Sequence, residues 1–341
     1  LLGGLAFFLF GMSLLGDGLK RVAGSRLETI LGRLTSNPIK GVLLGALVTA
    51  VIQSSSATTV MVVGFVNSGI MQLANAVGII MGANIGTTAT GWLLTLAGVE
   101  GDGGFSSATV FAAVAFIGIL LFFFCRKQTQ KNVGLILLSF SVLMSGMQSM
   151  SSAMDPLKEN AAFLDFISAA SNPAVSLLIG VAVTALIQSS SASIGILQAL
   201  SVTGAISYEV AIPMVLGMCI GACVPVLLSA IGANANGKRT AIIYLYFNIV
   251  GSALFMLPFY VLNAFLHFEF MALPADTLGI AVFNTVFKVA ATLVQLPFTG
   301  GLVRLSMLTI KDASGEDDEE FEENLLDERF LDYPPLALEQ S

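Results

Sequence analysis

The sequence predicts an all-α integral membrane protein built from two copies of one segment. Hydrophobic residues make up 55% of the 341 residues, charged residues make up only 11%, and the mean hydropathy is +0.87. A soluble domain carries roughly 25% charged residues, so most of this chain suits a lipid environment. The apolar runs are long, whereas an outer-membrane barrel would show short segments of alternating polarity. Helices are the predicted spanning elements because their backbone groups pair within the segment.

The second observation is a duplication with a constant offset. Ser-Asn-Pro is followed by Val-Thr-Ala, two apolar residues and Gln-Ser-Ser-Ser-Ala, first from Ser36 and again from Ser171. The offset of 135 residues holds throughout the pattern without a gap. We name Gln53–Ser56 motif 1 and Gln188–Ser191 motif 2. Polar groups inside an apolar stretch are costly unless something satisfies them, so two matched clusters predict a binding site between two halves.

Apolar runs and charge divide the chain into consecutive parts. The first apolar run lacks a small-residue cleavage site after it, which favours a membrane helix over a signal peptide. The last thirty residues hold twelve Asp and Glu and one Arg, so the net charge of −7 comes from a solvated tail. The predicted parts are a first membrane helix with an interfacial helix at 1–35, the repeat 1 core at 36–98, two connecting membrane helices at 106–153, an interfacial helix at 155–170, the repeat 2 core at 171–231, C-terminal membrane helices at 240–310 and the acidic tail at 312–341.

The charges that flank the two copies have opposite signs. Residues 17–40 carry five Lys and Arg against two acids, whereas residues 155–165 carry three acids and one Lys. The exits are reversed as well, with acids at 99–104 and the pair Lys238-Arg239 after the second copy. The positive-inside rule then predicts two inverted-topology repeats, each with a broken or re-entrant helix at its motif. It also predicts a multi-pass plasma-membrane protein with a cytoplasmic tail.

The composition of the motifs points to a small oxyanion bound together with cations. Three consecutive Ser project in three directions around a helix and cannot all serve one packing face. If the helix breaks here, the following half-helix starts near Ser54–Ala57 and directs free N–H groups at the cluster. Neither motif contains Lys or Arg, so a buried dianion needs a co-bound hard cation such as Na⁺, held by hydroxyl, amide and carbonyl oxygens.

A second conserved spacing follows each motif. Gly82-Ala83-Asn84-Ile85-Gly86-Thr87-Thr88 offers oxygen ligands, and both a close helix crossing and a cation site explain it. The second copy keeps both glycines at the same offset. It replaces the Asn and both Thr, so that most of the oxygen ligands are missing; the replacements are Cys219, Ala222 and Cys223.

These residues resemble the type II sodium-phosphate cotransporters, in particular their bacterial members, over roughly residues 1–310. The resemblance implies Na⁺-driven symport of inorganic phosphate by alternating access, with the substrate between the two motifs and no cofactor other than Na⁺ as coupling ion. The implied phosphate contacts are Gln53, Ser54, Ser55, Ser56, Gln188, Ser189, Ser190 and Ser191. The implied sodium contacts are Gln53, Ser56, Thr58, Asn84, Thr87, Thr88, Gln188, Ser191 and Ser193.

Several alternatives stay open at this level. A small-anion channel or a membrane sensor or scaffold is the other functional class, and an arsenate-like oxyanion fits as well as phosphate. The Na⁺ stoichiometry and a homo-oligomer are undetermined. Lys288 lies in an apolar run, where it is either functional or snorkels or pairs with a helix end. No His accompanies the Ser clusters, so an enzyme is not predicted. The expected partners are phosphate, Na⁺ and the bilayer, and no nucleic acid.

Overall fold

The computed structural model describes residues 1–23, 37–96, 107–154, 156, 167 and 170–311. Within these residues all regular structure is helical and there is no strand, which confirms the all-α prediction. The fourteen α-helices of the described residues are α1 (Leu2–Ala23), α2 (Pro38–Ile52), α3 (Ser55–Asn67), α4 (Leu73–Gly86), α5 (Thr88–Thr95), α6 (Ser107–Phe124), α7 (Gln128–Met154), α8 (Pro173–Ile187), α9 (Ser190–Ser201), α10 (Tyr208–Gly221), α11 (Val224–Ser229), α12 (Ala235–Leu266), α13 (Thr277–Gln295) and α14 (Thr299–Thr309).

Six helical segments of the described chain are long and apolar enough to cross a membrane. About 20 residues at 1.5 Å each are needed to traverse the hydrocarbon layer. Helices α2 and α8 have 15 residues each and are too short to do so alone. The candidate spans are Leu2–Val22, Leu73–Thr95, Gln128–Ala153, Tyr208–Ser229, Ala235–Leu266 and Thr277–Thr309.

The duplicated sequence folds into duplicated helices. Helices α2 to α5 and α8 to α11 follow one another in the same order, and α4 and α10 both have 14 residues. The Asn-Pro pair explains how α2 and α8 begin. The Asn37 side chain accepts a hydrogen bond from the Ile39 N–H at 2.9 Å, and Asn172 accepts one from the Ala174 N–H at 3.0 Å. Pro then occupies the first helical turn, where its missing N–H costs nothing.

The glycines shared by the two copies serve close helix packing. Helix α2 packs along α4, and α8 packs along α10 in the same way. A Cβ atom at Gly82 would collide with the carbonyl oxygen of Val42, and one at Gly217 would collide with that of Leu177. Both pairs are related by the offset of the duplication, so the same helix crossing is formed twice.

The remaining helices enclose the duplicated ones. Helix α1 packs along α7, which also contacts α6 and α9, while α12 contacts α3, α4, α10, α13 and α14. Helix α1 runs without interruption to Ala23, with Lys20 and Asp17 as an ion pair at 3.8 Å, instead of ending before the predicted interfacial helix. Most of that interfacial helix, nearly all of 155–170 and the acidic tail 312–341 lie outside the described residues.

Candidate substrate and ion site

Both motifs break their helices at the Gln residue. Gln53 ends α2 with φ 59° and ψ 24°, and Gln188 ends α8 with φ 60° and ψ 20°. Their N–H groups donate to the carbonyl oxygens of Thr49 and Thr184, each at 2.7 Å. The left-handed conformation costs a non-Gly residue about 1–2 kcal/mol. Two such costs at matched positions indicate that the Gln side chains are retained for a reason other than helix termination.

The first Ser of each motif caps the next helix. The Ser54 hydroxyl oxygen accepts a hydrogen bond from the Ala57 N–H at 3.2 Å, and Ser189 accepts one from the Ala192 N–H at 3.3 Å. Helices α3 and α9 therefore begin one residue later, with the positive ends of their dipoles at the motifs. Capping uses the Ser oxygen as an acceptor, so the hydroxyl proton stays available to an anion.

The two motifs meet at Thr90 of α5. Its Oγ1 lies 2.8 Å from Oε1 of Gln53 and 3.3 Å from Oγ of Ser191. A carbonyl oxygen only accepts, so Thr90 donates its single proton to Gln53 and accepts the proton of Ser191. Thr90 is 2% exposed. One buried hydroxyl thus joins motif 1 to motif 2 across the interior of the protein.

The two copies differ in the exposure of their Gln residues. Gln53 is 8% exposed, whereas Gln188 is classed as exposed. The other motif side chains are buried or half-buried in both copies. Buried are Ser55, Ser190 and Ser191, and half-buried are Ser54, Ser56 and Ser189. The site is therefore closed at the motif 1 Gln and open at the motif 2 Gln.

The hydroxyl residues one turn into α3 and α9 lie directly beneath the motifs. Thr58 donates to the Ser54 carbonyl at 3.1 Å and Ser193 donates to the Ser189 carbonyl at 2.9 Å. In the first copy the Thr49 hydroxyl reaches Oγ1 of Thr58 at 3.0 Å. Its counterpart Thr184 is fully buried and its Oγ1 has no hydrogen-bond partner among the described residues.

The segment with Asn84, Thr87 and Thr88 lies beside the last turn of α2. A Cβ atom at Gly86 would lie 2.7 Å from the Cβ of Thr49, so α4 ends against that turn. The three side chains donate to helix carbonyls of Ile80, Ala83 and Ile85 at 3.4, 2.9 and 2.8 Å. Their own oxygens keep lone pairs for a cation, and all three residues are buried.

Sequence reasoning missed four buried polar residues around the motifs. Gln198, fully buried on α9, donates to the carbonyls of Thr277 and Gly91 at 2.8 and 3.2 Å and ties α9 to α13 and α5. Tyr244 neighbours Ser55 and its hydroxyl has no hydrogen-bond partner among the described residues. Thr90 has the clearest sequence signal, because it adds a third hydroxyl to the run after Gly86. The fourth residue, on the polar face of α13, is Asn284.

The fold and site define a polytopic helical membrane protein whose duplicated, broken helices meet at one polar centre. The chain matches the Na⁺/Pi-cotransporter family over residues 7–152 and 160–312. It therefore belongs to that family, and the resemblance read from the motifs is confirmed. No solved structure matches this chain significantly.

Curated relatives come from bacteria and mammals. YqeW of Bacillus subtilis, an uncharacterized protein, is 34% identical over 89% of this chain and 95% of that protein. YjbB of Escherichia coli, named as a candidate inorganic phosphate exporter, is 31% identical over 99% of this chain. The chain spans only 60% of the length of YjbB. Sodium-dependent phosphate transport protein 2A of Rattus norvegicus is 32% identical over 42% of this chain and 24% of that protein.

Proposed function

We propose that this protein is a symporter that couples inorganic phosphate to Na⁺ by alternating access, with phosphate held between motif 1 and motif 2. The observation that carries the proposal is the hydrogen bonding of Thr90 to Gln53 and Ser191. It brings residues 138 positions apart in sequence into one buried polar cluster. Membership of a phosphate cotransporter family supports the substrate and the coupling ion.

The motif side chains suit a tetrahedral oxyanion. Hydroxyl protons of Ser54, Ser55 and Ser56 and their counterparts Ser189, Ser190 and Ser191 would donate to phosphate oxygens, and each Gln amide adds two donors. The N–H groups at the starts of α3 and α9 add donors and a favourable dipole. Two half-helix ends that face one centre would replace much of the hydration that phosphate loses on binding.

Oxygen atoms nearby suit Na⁺. The proposed ligands of the first copy are the side chains of Gln53, Ser56, Thr58, Asn84, Thr87 and Thr88. In the second copy they are Gln188, Ser191 and Ser193. A hard cation prefers such oxygen ligands. A Na⁺ ion beside the phosphate would lower the cost of burying the anion, so each ligand would raise the affinity for the other.

The unequal exposure of the two Gln residues supports alternating access. If the two copies are inverted repeats, the same pair of positions is exposed in turn on opposite sides of the membrane. In the structure Gln188 is exposed while Gln53 is buried, which suits one of the two end states. The tail 312–341 would then lie on the cytoplasmic side of the plasma membrane.

The direction of net transport follows the driving forces. A symporter moves phosphate inward when the Na⁺ gradient is inward and large, and outward when the phosphate gradient exceeds it. The name of YjbB attributes export to that protein, which covers the whole of this chain and more. We propose uptake under an inward Na⁺ gradient, and export is the same reaction run backwards.

Uptake of radiolabelled phosphate into proteoliposomes tests the proposal. Uptake should saturate with phosphate and require an inward Na⁺ gradient, and it should fall to the level of empty liposomes when choline replaces Na⁺. Uptake that is equal in choline would overturn Na⁺ coupling. Conductance without saturation would identify an anion channel instead. A scaffold would transport nothing, and it would lose its function when residues 312–341 are deleted.

A further inference from the structure

A buried polar face runs along α13. Asn284, Lys288, Thr292 and Gln295 repeat at the spacing of one helix face, and none is more than 3% exposed. Oδ1 of Asn284 and Oγ1 of Thr292 have no hydrogen-bond partner among the described residues. Both flank Lys288 by one helical turn. The face therefore carries a cation together with oxygens that have no other use in the fold.

Lys288 lies where the second copy differs most from the first. It does not snorkel, because its side chain is 3% exposed, and it interacts electrostatically with Cys219 of α10. Cys219 is the counterpart of Asn84 at the offset of the duplication. The described residues give Lys288 no carboxylate partner, although a buried ammonium group requires a compensating charge or polar ligands.

The second copy is also unsuited to an alkali cation at this position. The neutral thiols of Cys219 and Cys223 are poor ligands for a hard cation, and Ala222 offers none. Cys223 is already in contact with α12, since Nδ2 of Asn248 lies 3.4 Å from its Sγ. The oxygen ligands of the first copy are thus replaced by sulfur, while a permanent cation arrives from α13.

We propose that the Lys288 ammonium group replaces a coupling Na⁺ ion in the second copy, so that one half of the carrier supplies positive charge from the protein itself. This inference rests on the proposed Na⁺-phosphate symport. Asn284 and Thr292 act as oxygen ligands of the ammonium group. The first copy keeps a Na⁺ position at Asn84, Thr87 and Thr88. Phosphate binding is then compensated by one fixed charge and by fewer Na⁺ ions than two equivalent copies would require.

The test is the ratio of Na⁺ to phosphate taken up by proteoliposomes, measured with both labels in the same sample. Three chains are compared with the unmodified protein: Lys288→Gln, the triple variant Cys219→Asn/Ala222→Thr/Cys223→Thr, and the combination of all four substitutions. We expect Lys288→Gln to reduce phosphate uptake by about 10-fold or more, as for loss of a charged partner. Lys288→Arg should retain most of the uptake, and Lys127→Gln, an exposed Lys outside the site, is the matched control.

The combined variant should gain one Na⁺ per phosphate, because an oxygen site is restored and the competing ammonium group is gone. The triple variant should keep the ratio of the unmodified protein, because Lys288 still occupies the position. A higher ratio in the triple variant, or an unchanged ratio in an active combined variant, would overturn the inference. If Lys288→Gln fails to fold, the triple variant alone decides. Absence of Na⁺-dependent uptake in the unmodified protein would instead refute the proposed function.

Discussion

The hydroxyl oxygen of Thr90 lies 2.8 Å from Oε1 of Gln53, a residue 37 positions earlier in the chain. This contact holds the left-handed end of α2 against α5. The same hydroxyl lies 3.3 Å from Ser191, so the position of motif 1 relative to motif 2 depends on one threonine. The motifs themselves gave no indication of this third participant.

We expect Thr90→Val to weaken phosphate binding. The substitution preserves the shape of the side chain but leaves Oε1 of Gln53 and the hydroxyl of Ser191 without this partner, at a cost of about 1–3 kcal/mol. The Michaelis constant for phosphate should rise by about 10-fold or more, or uptake should be lost. Thr95→Val on the same helix is the control, because Thr95 bonds only to the carbonyl of Trp92. Equal kinetics for the two variants would contradict the bridging role.

Gln188→Gly should separate folding from transport. Gly adopts the left-handed conformation without strain, and the Gln188 side chain makes no hydrogen bond within the described residues. Thermal stability in detergent should be retained or should rise by about 1 kcal/mol. Phosphate uptake should nevertheless be abolished, because the amide is proposed to contact substrate. An active Gln188→Gly variant would show that the Gln serves only to end α8.

The accessibility of the two Gln positions should differ by a large factor. In a background without Cys125, a membrane-impermeant maleimide should label Gln188→Cys at least about 10-fold faster than Gln53→Cys, since labelling tracks exposure of the thiol. The native Cys219 and Cys223 are buried free thiols. Phosphate with Na⁺ should protect Gln188→Cys, whereas phosphate with choline should not. Equal labelling of the two positions would contradict the one-sided opening.

The glycines of the two helix crossings should be equally intolerant of a methyl group. Gly82→Ala and Gly217→Ala each force a Cβ atom into a backbone carbonyl of the neighbouring helix, so each should destabilise the protein by about 1–3 kcal/mol or prevent folding. Gly64→Ala is the matched control, because nothing lies within 4 Å of its added Cβ. Thermal unfolding in detergent measures all three, and a Gly217→Ala variant as stable as Gly64→Ala would contradict the crossing.

Much of the fold was predictable because its signals are local. Apolar run length gave the helical membrane class, and the offset of the duplication gave two sets of equivalent helices. The Asn-Pro pair and the first Ser of each motif are ordinary helix caps. What could not be predicted depends on contacts between distant segments. Nothing in the surroundings of Thr90 in the sequence identifies its partners, and the burial of Lys288 against Cys219 depends on how α13 packs. Identical motifs also gave no reason to expect that Gln188 is exposed while Gln53 is buried.

Equilibrium phosphate binding to the purified protein tests the central claim most directly. The account predicts one phosphate per chain in Na⁺ and none in choline. Ser55→Ala in motif 1 and Ser190→Ala in motif 2 should each weaken that single binding event by about 10-fold or more, as expected when a hydrogen bond to a charged ligand is lost. Two phosphates per chain, with each variant losing one and leaving the other unaffected, would contradict a site shared by the two motifs.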